Sequence, residues 1–185
     1  MKKILATLML CVFAVSHVCL YAQATKGQEK EIKARVKELQ KEGWKTFGST
    51  SLETSLRAHT VKLSQSEGMM EVTGEAQNMK NTYSGKVVCQ DEAVNELAND
   101  LLTEVKRTRE VEIKKLNEED RLDLESDLKT ETKGLMNGEL TPSFYIYRET
   151  GKGRYEVRGF FLYDRESLKE KVAQALLSRM QKRKS

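Results

Sequence analysis

Two side chains in this sequence have types that could do nucleophilic, acid–base or metal chemistry by themselves: His59 and Cys89. The other histidine, His17, and the other two cysteines, Cys11 and Cys19, fall in an amino-terminal stretch that reads as a removable leader. A Ser-His-Asp device needs its serine on an exposed, strained turn, and no G-x-S-x-G elbow occurs here. Ser49, Ser51 and Ser55 lie near His59 in sequence, so the expectation is a solvent-facing or capping histidine. One histidine and one cysteine are too few for the usual zinc ligand sets. Cys89 reads as a small, half-buried apolar residue, because a single cysteine has no intrachain partner.

Other stretches resemble sites and resolve into structure. The acids of "NEEDRLDLESD" lack the D-x-D-x-D-G spacing and turn glycine of a calcium loop. They fit a helix first turn after Asn117, where the positive end of the helix favours carboxylates. "GKG" at 151–153 joins two strand patterns, whereas a phosphate loop joins a strand to a helix. It reads as a hairpin turn. No cofactor or metal is implied.

The strongest local enrichment is aromatic: Phe144, Tyr145, Tyr147, Tyr155, Phe160, Phe161 and Tyr163. On a sheet most of these are core. An outward-facing subset would mark a binding surface. Arg148, Arg154 and Arg158 flank the aromatics and could add cation–π or anion contacts. The candidate binding surface is therefore Tyr145, Tyr147, Arg148, Arg158 and Tyr163, on a hairpin spanning 143–163.

The elements that would hold these residues follow from apolar spacing. Residues 28–41 carry Ile32, Val36 and Leu39 on one helical stripe, with Gly43 as a stop. Trp44 and Phe47 fall in a short extended or turn segment. Leu52, Leu56 and Leu63 predict a second helix capped by Ser49 or Thr50. "GMMEVTGEAQN" alternates as a half-buried strand, with Met70, Val72, Gly74 and Ala76 on one side. "NTYSGK" reads as a loop. Residues 86–116 give the longest helical pattern, weakening in phase at "REVEIKKL". A further helix starts after Asn117, uses Leu124, Leu128 and Leu135, and stops at Gly134 and Asn137-Gly138. The aromatic hairpin follows, its second strand interior with helices on at least one side. Asp164 caps a final helix bearing Leu168, Val172, Ala175, Leu176 and Met180. The fold class is α+β: long helices on a small, mainly antiparallel sheet, with a carboxy-terminal hairpin and final helix.

The amino terminus places this domain. Lys2 and Lys3 precede an apolar run from Ile4 to Val15, and Ala22-Gln23-Ala24 supplies a small-x-small cleavage pattern. Residues 1–24 therefore read as a signal peptide and 25–185 as one domain. Cleavage after Ala24 fits first and after Ala22 second. Lipidation at Cys19 stays open, although Val18 is a poor fit before a modified cysteine. Removing 1–24 takes two lysines and no acid, lowering the formal charge from +4 to +2. Charged residues make up 32% of the chain with signs mixed, which describes a solvated surface. A nucleic-acid footprint would be strongly basic. Arg179, Lys182, Arg183 and Lys184 in the tail would give at most weak contact with an anionic membrane, about 1 kcal/mol per base.

"KELQKEGWKTFGSTSLETSL", "DEAVNELANDLLTEV", "FYIYRE" and "YEVRGFFLYDRESLKEKV", in that order after a signal peptide, resemble uncharacterised exported proteins of Bacteroides-type bacteria. More loosely, the chain is similar to small bacterial envelope lipoproteins whose domain packs long helices on an antiparallel sheet. The resemblance carries over no catalytic residues. It implies an exported envelope protein, periplasmic or, with an acylated cysteine, tethered to the outer membrane. The expected role is non-enzymatic binding or structural work, with an envelope protein or small ligand as partner and no nucleic acid. The alternative is a periplasmic hydrolase with a carboxylate-based site.

Overall fold

The computed structural model describes residues 24–182. Cys19, the Ala22 cleavage position and the last three residues of the tail lie outside the described residues. Among the described residues, six helices accompany a four-stranded antiparallel sheet, an α+β architecture. The elements in order are α1 (Lys26–Lys41), β1 (Lys45–Thr46), α2 (Leu52–Ser64), β2 (Met69–Met79) and α3 (Thr82–Thr108). They continue with α4 (Glu110–Ile113), α5 (Glu118–Glu139), β3 (Thr141–Gly151), β4 (Arg154–Asp164) and α6 (Arg165–Lys182).

Local chemistry sets the boundaries. Thr25 and Gln28 form a reciprocal capping box that starts α1. Its stripe of Ile32, Val36 and Leu39 is buried, and Gly43, at φ +84°, supplies the left-handed exit. Asn117 caps α5 by accepting from the Asp120 N–H, and Asp164 does the same for α6 through Ser167. Gly151, Lys152 and Gly153 all take positive φ at the hairpin turn.

Four sequence expectations are corrected. The cap of α2 is Ser51, which accepts from Thr54 N–H, rather than Ser49 or Thr50. "NTYSGK" is helical from Thr82 onward, because the Asn81 side chain accepts from Ser84 N–H and starts α3 early. Gly85 is tolerated there because the helix lies against Val157, where an added Cβ would come within 2.4 Å. The fifth helix runs through Gly134 and Gly138 to Glu139, and it buries Met136 while Leu135 is only half-buried.

The strands lie in the order β1-β3-β4-β2, which makes β4 interior and β2 an edge. Both sheet faces are covered. On one, Val72, Ala76, Val157, Phe161 and Tyr163 pack with α3, α5 and α6. On the other, Ile146 and Phe160 pack with α1, α2 and Trp44. The structure is therefore three layers, and the even–odd alternation of β4 sends Phe160 and Phe161 to opposite cores.

Candidate functional site

Three polar constellations sit on this frame. The first is built around His59, which is 1% exposed and corrects the expectation of a solvent-facing or capping histidine. Its position follows from spacing: Leu52, Leu56 and His59 occupy one stripe of α2 at i, i+4 and i+7, and all three are buried. Burying an imidazole requires partners for both nitrogens. Ser143 Oγ lies 2.9 Å from Nδ1, and the Glu71 carboxylate meets Nε2. Phe144 and Phe160 stack on each other and present their faces near the ring edge.

Ser143 reaches His59 because β3 carries a bulge. Pro142 faces Phe161 and Phe144 faces Phe160, so Ser143 is the extra residue between them. A bulge re-aims a side chain that strict alternation would send elsewhere. Glu71 stands on β2, 24% exposed, and Arg35 of α1 approaches its other oxygen at 3.7 Å. Burial by itself would raise the Glu71 carboxyl. The His59 hydrogen bond and charge, together with the Arg35 guanidinium, outweigh it and hold the group below its ordinary value. An ionised Glu71 accepts from Nε2–H. A neutral ring then leaves Nδ1 to accept the Ser143 hydroxyl, and a protonated ring reverses only that second bond.

The second constellation contains the two arginines of the sequence-derived surface. Arg148 and Arg158 lie over the Trp44 ring at 4.6 and 4.9 Å. Arg148 Nε donates to Glu156 at 2.6 Å, and Arg158 pairs with Glu75 at 2.7 Å. Trp44, 5% exposed, donates its indole N–H to Glu42. Tyr145, Tyr147 and Tyr163 are on the opposite face of the sheet. Tyr163 is 6% exposed and belongs to the core, while Tyr145 and Tyr147 are half-buried against it. The cation beside them is Lys86, 3.9 Å from the Phe47 ring centre and 5.2 Å from that of Tyr145. Parity separates the even-numbered arginines from the odd-numbered tyrosines.

The third constellation is a groove of about 490 Å³ along β2, lined by Thr73, Glu75, Gln77, Glu92 and Glu96. Among the described residues β2 pairs with β4 alone, so its other edge is free. The lining comes from both sides of that edge. Thr73, Glu75 and Gln77 belong to the strand, and Glu92 and Glu96 project from α3. Helix and strand touch at Gly74, where a Cβ would fall 1.8 Å from the Cys89 carbonyl oxygen. That closeness lets the Glu92 carboxylate accept the Glu75 backbone N–H. The N–H of Glu75 therefore points away from β4, and by alternation so does that of Thr73.

Cys89 itself is fully buried, not half-buried as its sequence context implied, and its thiol donates to the Val157 carbonyl at 3.2 Å. Burial pushes the thiol up to about 12. The basic tail is partly engaged as well: Arg179 pairs with Glu131 and Asp127.

Sequence reasoning missed the Ser143–His59–Glu71 relay and the β2 edge. The place of His59 on the Leu52–Leu56 stripe was a readable signal. The bulge at Ser143 and the place of β2 at the sheet's edge had none within one sequence.

No family model, curated protein or solved structure matches the chain.

Proposed function

We propose that this chain is an exported protein of the bacterial envelope that acts by binding a partner at the edge of its sheet. The observation that carries the reading is the outer edge of β2, which has no strand partner among the described residues and opens onto an acidic groove. A free edge presents backbone donors and acceptors in register for another chain. Export is supported by the charged start, apolar run and Ala22-Gln23-Ala24 pattern of residues 1–24. The arginines and tyrosines of the 143–163 hairpin are engaged with Trp44, with acids and with the core, which favours the β2 edge over that hairpin as the docking surface.

A photo-cross-linking residue at Gln77, introduced in cells that make the protein natively, tests this. A discrete adduct in the envelope fraction is expected, absent with the cross-linker at the exposed Lys129 and lost when Thr73→Pro removes an outward N–H. The same adduct from both positions, or a chain that stays in the cytoplasm and still begins at Met1, would overturn the reading.

Hydrolysis is favoured by one observation, the Ser143–His59–Glu71 relay, since a serine hydrogen-bonded to an imidazole held by a carboxylate can be activated as a nucleophile. Against it, the His59 ring is enclosed by Phe144 and Phe160. Three grooves beside α3, one with α4 and α5, one along β2 and one against α5, are lined by residues other than His59 and Ser143. Treatment with a fluorophosphonate distinguishes the readings. Binding predicts no adduct on Ser143, and an adduct abolished by His59→Ala in a folded variant would establish the hydrolase.

A further inference from the structure

The geometry points to an extended polypeptide segment carrying Lys or Arg at alternate positions as the occupant of the β2 groove, added to the sheet as a fifth strand. This rests on the binding reading above and narrows it to a partner chemistry.

Backbone direction comes first. Thr73 and Glu75 turn their N–H and C=O groups outward, spaced as a neighbouring strand requires, and only the Glu92 carboxylate covers the Glu75 N–H. A side-chain carboxylate can withdraw from an N–H that a strand carbonyl then takes.

The side chains of an added strand alternate between the two sheet faces. One set lies beside Thr73, Glu75 and Gln77, and the other lies beneath α3 against Glu92 and Glu96. Glu75 already pairs with Arg158, whereas Glu92 and Glu96 have no cationic partner among the described residues. The uncompensated charge is therefore on the α3 side, and every second residue of the occupant meets it. Glu92 and Glu96 are one helical turn apart, which suits two successive bases on that side. The span from Thr73 to Gln77 accommodates about five residues of extended chain.

The same charges disfavour a second copy of this protein. Pairing two β2 edges would set Glu75, Glu92 and Glu96 of one copy against their equivalents, and like charges across a strand pair are destabilising. Acidic side chains on an edge also serve to prevent unwanted pairing. That role and the docking role differ in what a basic strand does.

The test uses the purified full-length mature chain and three synthetic peptides: one alternating Lys with Thr, one of the same composition with a central Pro, and one with Glu in place of Lys. Fluorescence anisotropy gives affinity, and NMR hydrogen exchange reads the Thr73 and Glu75 amides. The alternating Lys peptide is expected to bind and to slow exchange at Thr73 about tenfold or more, with the Pro and Glu peptides at least about tenfold weaker. Glu92→Gln with Glu96→Gln is expected to weaken it about tenfold while the melting temperature holds. No binding, or equal binding of the Pro peptide (attraction by charge alone), would overturn the inference. If the Gln77 cross-link persists in cells while the Lys peptide fails, the partner class falls and the binding reading stands; if both fail, both fall.

Discussion

The carboxylate of Glu92, on α3, accepts the outward backbone N–H of Glu75, on β2. One bond thus joins a helix to the free edge of the sheet it covers. It exists because the helix backbone rests directly on the strand at Gly74, leaving Glu92 within reach of the edge. The acidic groove is a consequence of that close approach.

Gly74→Ala should therefore be among the most damaging single-methyl changes available. The new Cβ would meet the backbone carbonyl of Cys89 at 1.8 Å, and a helix backbone has no side-chain freedom with which to yield. A loss of more than about 3 kcal/mol is expected in denaturant unfolding, well above the usual cost of a surface substitution.

The His59 relay should act as a structural latch among α2, β2 and β3. His59→Leu leaves Glu71 and Ser143 facing an apolar group and is expected to cost about 2–4 kcal/mol. Its acid dependence follows from Glu71. The folded carboxyl titrates below its ordinary value, so the unfolded chain binds that proton first as pH falls. The contribution is complete above about pH 4.5 and disappears as pH drops through the folded value. Thermal melts from about pH 6 to about pH 3 should show a shallower acid limb for Glu71→Gln than for the unsubstituted chain.

Cys89 should be inert. Its thiol is fully buried, is pushed up to about 12 and donates to Val157. Ellman's reagent is expected to give no colour with a native chain of residues 25–185, in which Cys89 is the single cysteine, and one equivalent after unfolding. Rapid native labelling would show that α3 lifts from the sheet.

Trp44 is the only tryptophan and reports on the face opposite α3. Enclosed by Arg148 and Arg158, it should fluoresce as a buried indole and shift red on unfolding. Trp44→Ala should cost about 3–5 kcal/mol, through lost packing and two unstacked guanidinium groups.

These predictions divide by how their residues could be found. Features repeated within one element were legible. Ile32, Val36 and Leu39 marked α1, Leu168, Val172 and Leu176 marked α6, and the aromatic alternation marked the hairpin and its interior second strand. Boundaries failed where a glycine sits inside a helix rather than ending it. Gly85 sits inside α3 so that the helix can approach Val157, and Gly134 and Gly138 face open space on α5. Contacts that depend on strand order and register were not legible. His59 and Ser143 are 84 residues apart and meet through a one-residue bulge, and Thr73 lies on a free edge because β2, among the described residues, pairs with β4 alone.

Amide exchange at Thr73, measured by NMR on the free protein and again with the alternating Lys peptide, tests the central claim most directly. The account predicts fast exchange at Thr73 beside slow exchange at Gly74, whose N–H points into the sheet, and protection of Thr73 once the peptide is added. A Thr73 amide already protected in the free protein would mean that the edge is covered. One that stays unprotected with peptide bound would mean that binding occurs elsewhere. Either result would contradict the account.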